Sequence, residues 1–308
     1  MKTSVKIKSP ATIANLVCGF DVLGLALHEP YDLMEMSLGD IPGIRITHTD
    51  NFNLPLEPER NVAGVALLEL LKYSDSAIGF DLIIDKRIKP GSGLGSSAAS
   101  AAGAVVAANY LLGNKFSNTD LVGFAMAGEE FASGVKHADN ISPCIYGGVT
   151  LIRSMLPLDI ISIPAPAMYV AVVHPQIELK TSDARDILRQ EVTLKNAIVQ
   201  WGNIAGLVAG LMQGDYSLIS RSLKDVIIEP VRSILIPGFA EVKNQCVEAG
   251  ALGGGIAGSG PSIFMLCKEE SVAKDVELIM KNIYDRLGLP ALTYVTTINT
   301  NGITICDE

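Results

Sequence analysis

Residues 89–105 read KPGSGLGSSAASAAGAV, and these are residue types that can hold phosphate. Glycine lets the main chain approach an anion closely, and serine hydroxyls can bind a phosphate oxygen or a divalent cation. The run follows an alternating stretch, GFDLIIDKRI (79–88), that predicts a strand, and it leads into a helix of small residues ending near Leu112. At such a helix start, unpaired amides and the positive end of the helix dipole favour an anion. The best-known motifs are absent, however. A Walker loop requires a lysine, and none occurs between Lys89 and Lys115. Ser96 stands where a dinucleotide fingerprint begun by Gly91 and Gly93 needs its last glycine, and there is no G-x-S-x-G elbow. A tight turn with Ser96 and Ser97 capping the helix would use the same residues. As a ligand site, the loop would have to replace the lysine with main-chain amides and a serine-held metal.

The elements around the loop alternate in type. SVKIKSP (4–10) has strand periodicity, residues 61–74 and about 119–133 have helical periodicity, and GGVTLIR (147–153) reads as a strand. Pro157, Pro164 and Pro166 cluster at a junction near Ala165, which divides the chain into domains 1–165 and 166–308. Beyond it come a strand at AMYVAVVHP (167–175), a long apolar helix at 193–215 and a helix at 237–250. A glycine-rich turn feeding a strand (251–267), a helix at 269–288 and closing strands at 292–305 follow. This order indicates an α+β protein of two lobes.

Composition narrows the function. A net charge of −9 argues against a general nucleic-acid binder, which needs clustered Lys and Arg. The uncharged run 90–114 is long enough for a membrane span, but Ala, Gly and Ser dominate it and four loop-forming residues open it, so a buried helix is expected. Cys18, Cys144, Cys246, Cys267 and Cys306 are dispersed, as are the four histidines. Reduced core thiols, no zinc site and a cytoplasmic location are the corresponding expectations. The N-terminus has no continuous apolar run of the signal-peptide kind.

PGSGLGSSAAS (90–100) resembles the central P-x-x-x-G-L-G-S-S-A-A motif of the GHMP kinases. Two further stretches match in the same order: PATIANLVCGFDVLGLAL (10–27) resembles the family's N-terminal motif, and GGGIAGSGPSIFML (253–266) its C-terminal one. The resemblance implies an N-terminal lobe like domain 2 of ribosomal protein S5, a ferredoxin-like C-terminal lobe, and ATP with Mg²⁺ between them. Pro90, Gly91, Ser92, Gly93, Leu94 and Gly95 would form the ATP loop, and Ser96, Ser97, Ala98, Ala99 and Ser100 the helix start. Ser97 and Glu129 would hold the metal, with Glu130 the adjacent alternative. Asn61 and Lys86 would contact adenine.

Further stretches resemble the homoserine-specific branch of the family: HADNISPCIYGG (137–148), TSDARDIL (181–188) and EPVRSILIPGF (229–239). The implied substrate is L-homoserine, a zwitterion with a terminal hydroxyl that would become O-phospho-L-homoserine on the way to threonine. Its carboxylate suits a clamp of Arg185 and Arg232, because guanidinium pairs bidentately with carboxylate. Thr181 would add a carboxylate contact, Asp21 would meet the ammonium, and His137 would line the pocket. Asn15 and Asn140 would lie near the hydroxyl. An asparagine stands where other members of the family place an aspartate base, so alignment and charge stabilisation would carry the rate; Asp139 keeps a base possible. Val17 and Cys18 depart from the Gly-Pro common there. A homodimer is implied as well. Rival readings are another small-molecule kinase of the family (mevalonate- or shikimate-type) and a non-catalytic nucleotide- or RNA-binding protein on the same fold.

Overall fold

The computed structural model describes residues 3–74, 78–179 and 181–306. The first lobe is built on β1 (Ser4–Ala14), β2 (Leu23–Gly39), β3 (Gly43–His48), β4 (Gly79–Asp85), β5 (Val149–Met155) and β6 (Leu158–Ile163). Its helices are α1 (Val62–Leu71), α2 (Ser96–Leu111), α3 (Asn118–Ser133) and α4 (Ile141–Tyr146). β1, β2, β4 and β3 lie side by side; β2 continues past its bend to pair with β5, which pairs in turn with β6. β1 alternates exposed and buried residues as far as Lys8 and is then buried throughout. The change marks where the strand enters the interface between lobes: Ala11 and Ile13 belong to the same core as Val170, Val172 and Phe264 of the second lobe.

α2 is the run 96–111, and it is a core helix. Ala98, Ala99, Ala101, Ala102 and Ala104 are fully buried, and no helix among the described residues is long and apolar enough to cross a membrane. Small residues let it lie close against the sheet. A Cβ on Gly103 would stand 2.3 Å from Met34 Sδ, and the Ser9 hydroxyl donates to the Ala99 carbonyl at 2.7 Å. An alanine helix contributes little hydrophobic area per residue, but it allows the close interior packing that dispersion rewards.

In the second lobe, β7 (Tyr169–Pro175), β8 (Gly253–Ile256), β9 (Ile263–Cys267) and β10 (Ala291–Thr297) form an antiparallel sheet in the order β10-β7-β9-β8. With the connecting helices this is the ferredoxin-like arrangement. The helices are α5 (Thr181–Asp186), α6 (Leu194–Gln213), α7 (Tyr216–Ser222), α8 (Glu229–Arg232), α9 (Phe239–Glu248) and α10 (Glu270–Arg286). Three short elements, α5, α7 and α8, have too few turns to show periodicity and were not expected. β11 (Thr304–Ile305) returns to the first lobe and pairs with β1, Ile305 opposite Ile7.

Candidate active site

A cavity of about 310 Å³ lies between the phosphate-type loop, the turn after β1 and Arg185 near the end of α5. Two glycines set the loop's path. Gly95 is the N-cap of α2 in left-handed conformation (φ 65°) and offers no side chain, which leaves the helix's first amides to a ligand. Gly93 (φ 83°) lies against the C-terminal glycine turn: a Cβ there would come within 2.6 Å of the carbonyls of Ala257 and Gly260. Ser262 N also donates to Ser92 O at 3.2 Å. The two glycine motifs, about 165 residues apart, are therefore one structural unit.

The loop's serines divide their work. Ser96 Oγ donates to the Ile88 carbonyl (2.8 Å) and Ser100 Oγ accepts from Lys86 Nζ (2.8 Å), so both hydroxyls serve the loop's own fold. This corrects the expectation that Ser96 and Ser97 both present hydroxyls to a ligand. Ser97 Oγ alone turns outward, donating to Glu129 Oε2 at 2.8 Å. Pro90, Gly91, Gly93, Gly95, Ser96 and Ser97 line the cavity, and Ser100 does too. Ser92, Leu94, Ala98 and Ala99 lie behind it and are buried in the protein.

Burial raises the Glu129 carboxyl above the usual carboxylate range, with the Ser97 hydroxyl pulling the other way. Glu130, one residue on, is exposed and faces Lys136 at 3.4 Å. No cluster of three or more metal-binding side chains occurs among the described residues. The chemistry nevertheless fits a hard cation of the Mg²⁺ type, which is held through one or two carboxylates and completed by phosphate oxygens and water. Ser97 and Glu129 supply two oxygen donors beside the loop.

Lys86 and Asn61, the residues expected near adenine, both line the cavity, and the protein engages both side chains. Lys86 turns inward: its ammonium meets Asp32 Oδ2 (2.7 Å), the Ser96 carbonyl (2.8 Å) and Ser100 Oγ. Asp32 in turn accepts the amides of Arg87 and Ile88, both at 2.8 Å. A lysine thus supports the loop from beneath, where the Walker lysine would reach over it. The Asn61 amide caps α1 through Ala63 N and donates to Pro55 O and His48 Nε2. All its donors are occupied, so what it offers a base is a shaped wall with His48, Leu54 and Val62.

At the other end of the cavity, the turn after β1 runs through three consecutive left-handed residues, Asn15 (φ 73°), Leu16 (φ 39°) and Val17 (φ 66°). For a β-branched residue this is a strained conformation, costing on the order of 1–3 kcal/mol. Tertiary bonds hold it: Asn15 Nδ2 donates to Gly258 O (2.9 Å) and Gln200 Nε2 to Cys18 O (2.8 Å). Asn15 Oδ1 accepts the Asp21 amide at 3.0 Å and so aims that carboxylate. Asp21 meets Arg185 Nη2 at 2.8 and 2.9 Å, with His137 Nδ1 3.6 Å away. Burial holds His137 below its ordinary range, against the pull of Asp21.

Arg232 is 4% exposed and donates to the carbonyls of Ala184 (2.8 Å) and Gly258 (3.2 Å). Desolvation, then the neighbouring Arg185, lower its pKa to about 10, so it stays charged at neutral pH. Phe20 meets both cations, its ring centroid 5.5 Å from Arg185 Cζ and 5.0 Å from Arg232 Cζ. Sequence reasoning missed Phe20, although an aromatic beside Asp21 in the motif was the available signal. Asn140 Oδ1 accepts from Thr12 Oγ1 at 2.8 Å. The buried Asp139 accepts the Asn140 amide, and burial, with Asp21 and Glu129 adding to it, pushes its carboxyl up to about 7. Thr181 opens α5, but its side chain lies outside the described residues.

A two-lobed α+β fold with a glycine loop capping a buried helix defines a small-molecule kinase of the GHMP type. Residues 61–148 match the GHMP kinase N-terminal domain and residues 207–286 the GHMP kinase C-terminal domain. The chain belongs to the GHMP kinase family. It is 45% identical over 297 residues to the homoserine kinase of Chlorobium phaeobacteroides, with 92% of each chain covered. It is 39% identical to that of Methanocella arvoryzae, over 96% of this chain and 95% of the relative. The crystal structure of homoserine kinase from Cytophaga hutchinsonii superposes with a TM-score of 0.95 at 46% identity, covering 99% of this chain and 98% of that one. A mevalonate kinase from L. major shares the fold alone, with a TM-score of 0.73, 16% identity and 97% of each chain covered.

Proposed function

We infer that this protein is an ATP-dependent homoserine kinase, converting ATP and L-homoserine to ADP and O-phospho-L-homoserine, a step towards threonine. The observation that carries the substrate is the Asp21–Arg185 pair with Arg232 beside it: two guanidiniums and one carboxylate lining the phosphate-loop cavity. A zwitterionic amino acid can exchange with that pair. Its carboxylate joins the two arginines and its ammonium takes Asp21, so no buried charge is left unpartnered. Mevalonate, a carboxylate without an ammonium, would strand Asp21.

The hydroxyl of the bound amino acid then reaches towards Asn140 and the start of α2. Phosphoryl transfer forms a bond from that oxygen to the γ-phosphorus and breaks the bond to the β,γ-bridging oxygen, whose electrons leave with ADP; the hydroxyl proton passes to solvent water. The amides at the α2 start hold phosphate oxygens, and Ser97 with Glu129 would seat Mg²⁺. A cation held there would supply positive charge against that developing on the phosphate. With a neutral amide at position 140, alignment and charge stabilisation supply the rate. A homodimer and a cytoplasmic location follow from the family resemblance, and five free cysteines agree with a reducing compartment.

Purified protein assayed for ADP release with ATP and Mg²⁺ should turn over homoserine far better than mevalonate, galactose or shikimate. Turnover confined to an alcohol without an amino group would overturn the substrate assignment.

Asp139 gives a pH prediction. Its carboxyl titrates at about 7 when folded, against 3.8 for an unperturbed aspartate, so stability from the protonated form is complete below about 4 and lost as pH rises to about 7. Asp139→Asn removes that loss. The variant's stability relative to the parent should therefore be greater at pH 8 than at pH 5, by about 2.5 kcal/mol, in denaturant melts at the two pH values. A fall in kcat beyond about tenfold in the same variant would assign the hydroxyl proton to Asp139.

A further inference from the structure

We propose that Thr12 is a positioning residue for the reaction: its hydroxyl fixes the rotation of the Asn140 amide so that the NH₂ edge faces the substrate hydroxyl. The inference rests on the homoserine kinase reading and deepens it. Thr12 lies on β1, is fully buried, and donates its one hydroxyl proton to Asn140 Oδ1 at 2.8 Å. Its backbone amide donates to Leu94 O (3.1 Å), tying the same residue to the phosphate loop. Gly95, the N-cap of α2, rests directly on this pair: a Cβ there would stand 2.0 Å from Thr12 Oγ1 and 3.0 Å from Asn140 Oδ1.

The consequence is chemical. An asparagine side chain can turn either its acceptor or its donor edge to a ligand, and the two differ little in shape. With Oδ1 engaged by Thr12, Asn140 presents Nδ2 to the cavity it lines, and that nitrogen makes no hydrogen bond among the described residues. A donor there binds one lone pair of the substrate oxygen, leaves the other for the phosphorus, and cannot take the proton. Thr12 therefore couples two things that must coincide: where the loop holds the phosphate, and how the acceptor oxygen is turned.

Thr12→Val keeps the shape and removes the proton donor, so Asn140 is free to flip. The expected result is a fall in kcat of ~10–30-fold, with KM for homoserine and ATP changed less than about threefold, and near-parental kcat in Thr12→Ser. In an Asn140→Ala background, Thr12→Val should cost nothing further, an outcome that a merely structural role would not give. Should valine prevent folding, Thr12→Ala, which removes the hydroxyl with less bulk, replaces it in the same cycle. An unchanged kcat in the single variant, or an equal loss in both backgrounds, overturns the proposal. Neither result touches the parental protein's turnover of homoserine, which tests the underlying reading separately.

Discussion

Arg232→Ala should raise the KM for homoserine by about 100-fold or more while leaving the KM for ATP within about twofold. Truncating one partner of a buried, hydrogen-bonded charge pair costs about 2–5 kcal/mol, and about 2.7 kcal/mol is a factor of 100. Arg232 suits that estimate because it is almost fully buried and held rigidly by the Ala184 and Gly258 carbonyls and the Phe20 ring. It reaches the site already desolvated, so a ligand carboxylate would meet a cation with little water left to shed. The alanine variant also takes the guanidinium from the Ala184 carbonyl and leaves the Gly258 carbonyl with Asn15 alone. A melting curve should accordingly show some loss of stability, and steady-state kinetics with each substrate varied in turn separates this from binding. Arg232→Lys keeps the charge but not the forked geometry and should fall between the two. Equal weakening of ATP and homoserine would contradict the division of the cavity into a phosphate end and an amino-acid end.

Glu129→Gln should lower kcat by about 10²–10³ with homoserine KM little changed, and should move the Mg²⁺ activation curve to higher concentration. Several kcal/mol of transition-state stabilisation are at stake when the charge partner of a transferring phosphoryl group is misplaced. The amide is isosteric and can still accept from Ser97, so the fold should survive the substitution. What it removes is the negative charge that would hold a cation beside α2. Glu130→Gln is the informative control, because Glu130 faces outward to Lys136 and should show little effect. If the two substitutions act alike, or if Mg²⁺ dependence in Glu129→Gln is that of the parent, the metal is held elsewhere.

Much of this site could be read from the chain before folding. The loop at 90–100 needs only local rules: glycines where the chain must turn left-handed, serines at a helix start, and alanines where a helix must be buried. Ser97 lies within the 90–100 motif, whereas Glu129, 32 positions further on, belongs to no quoted motif and enters through the family resemblance alone. Lys86 was harder. A residue just past a strand can turn its side chain to either side, and the buried Asp32, 54 positions earlier, decided the direction. Asn61 lines the cavity while its amide caps α1, because helix capping competes with ligand binding for one amide. The choice between Glu129 and Glu130 depends on the rotation of α3 about its axis, and only packing sets that.

By itself the sequence determined the two-lobed α+β class and a glycine-rich loop that runs into a buried helix, while the residue types of an amino-acid pocket were what the family resemblance implied. The first two follow from periodicity and short motifs, which act within a few residues of chain. The tertiary structure alone decided that Asp21 pairs with Arg185 across 164 positions and that one ring, Phe20, meets both arginines. It also decided that Gly258 accepts from both Asn15 and Arg232, and that Thr12 turns the amide of Asn140. These contacts are hydrogen bonds and charge pairs between distant segments, and their geometry exists only once burial has brought the two lobes together.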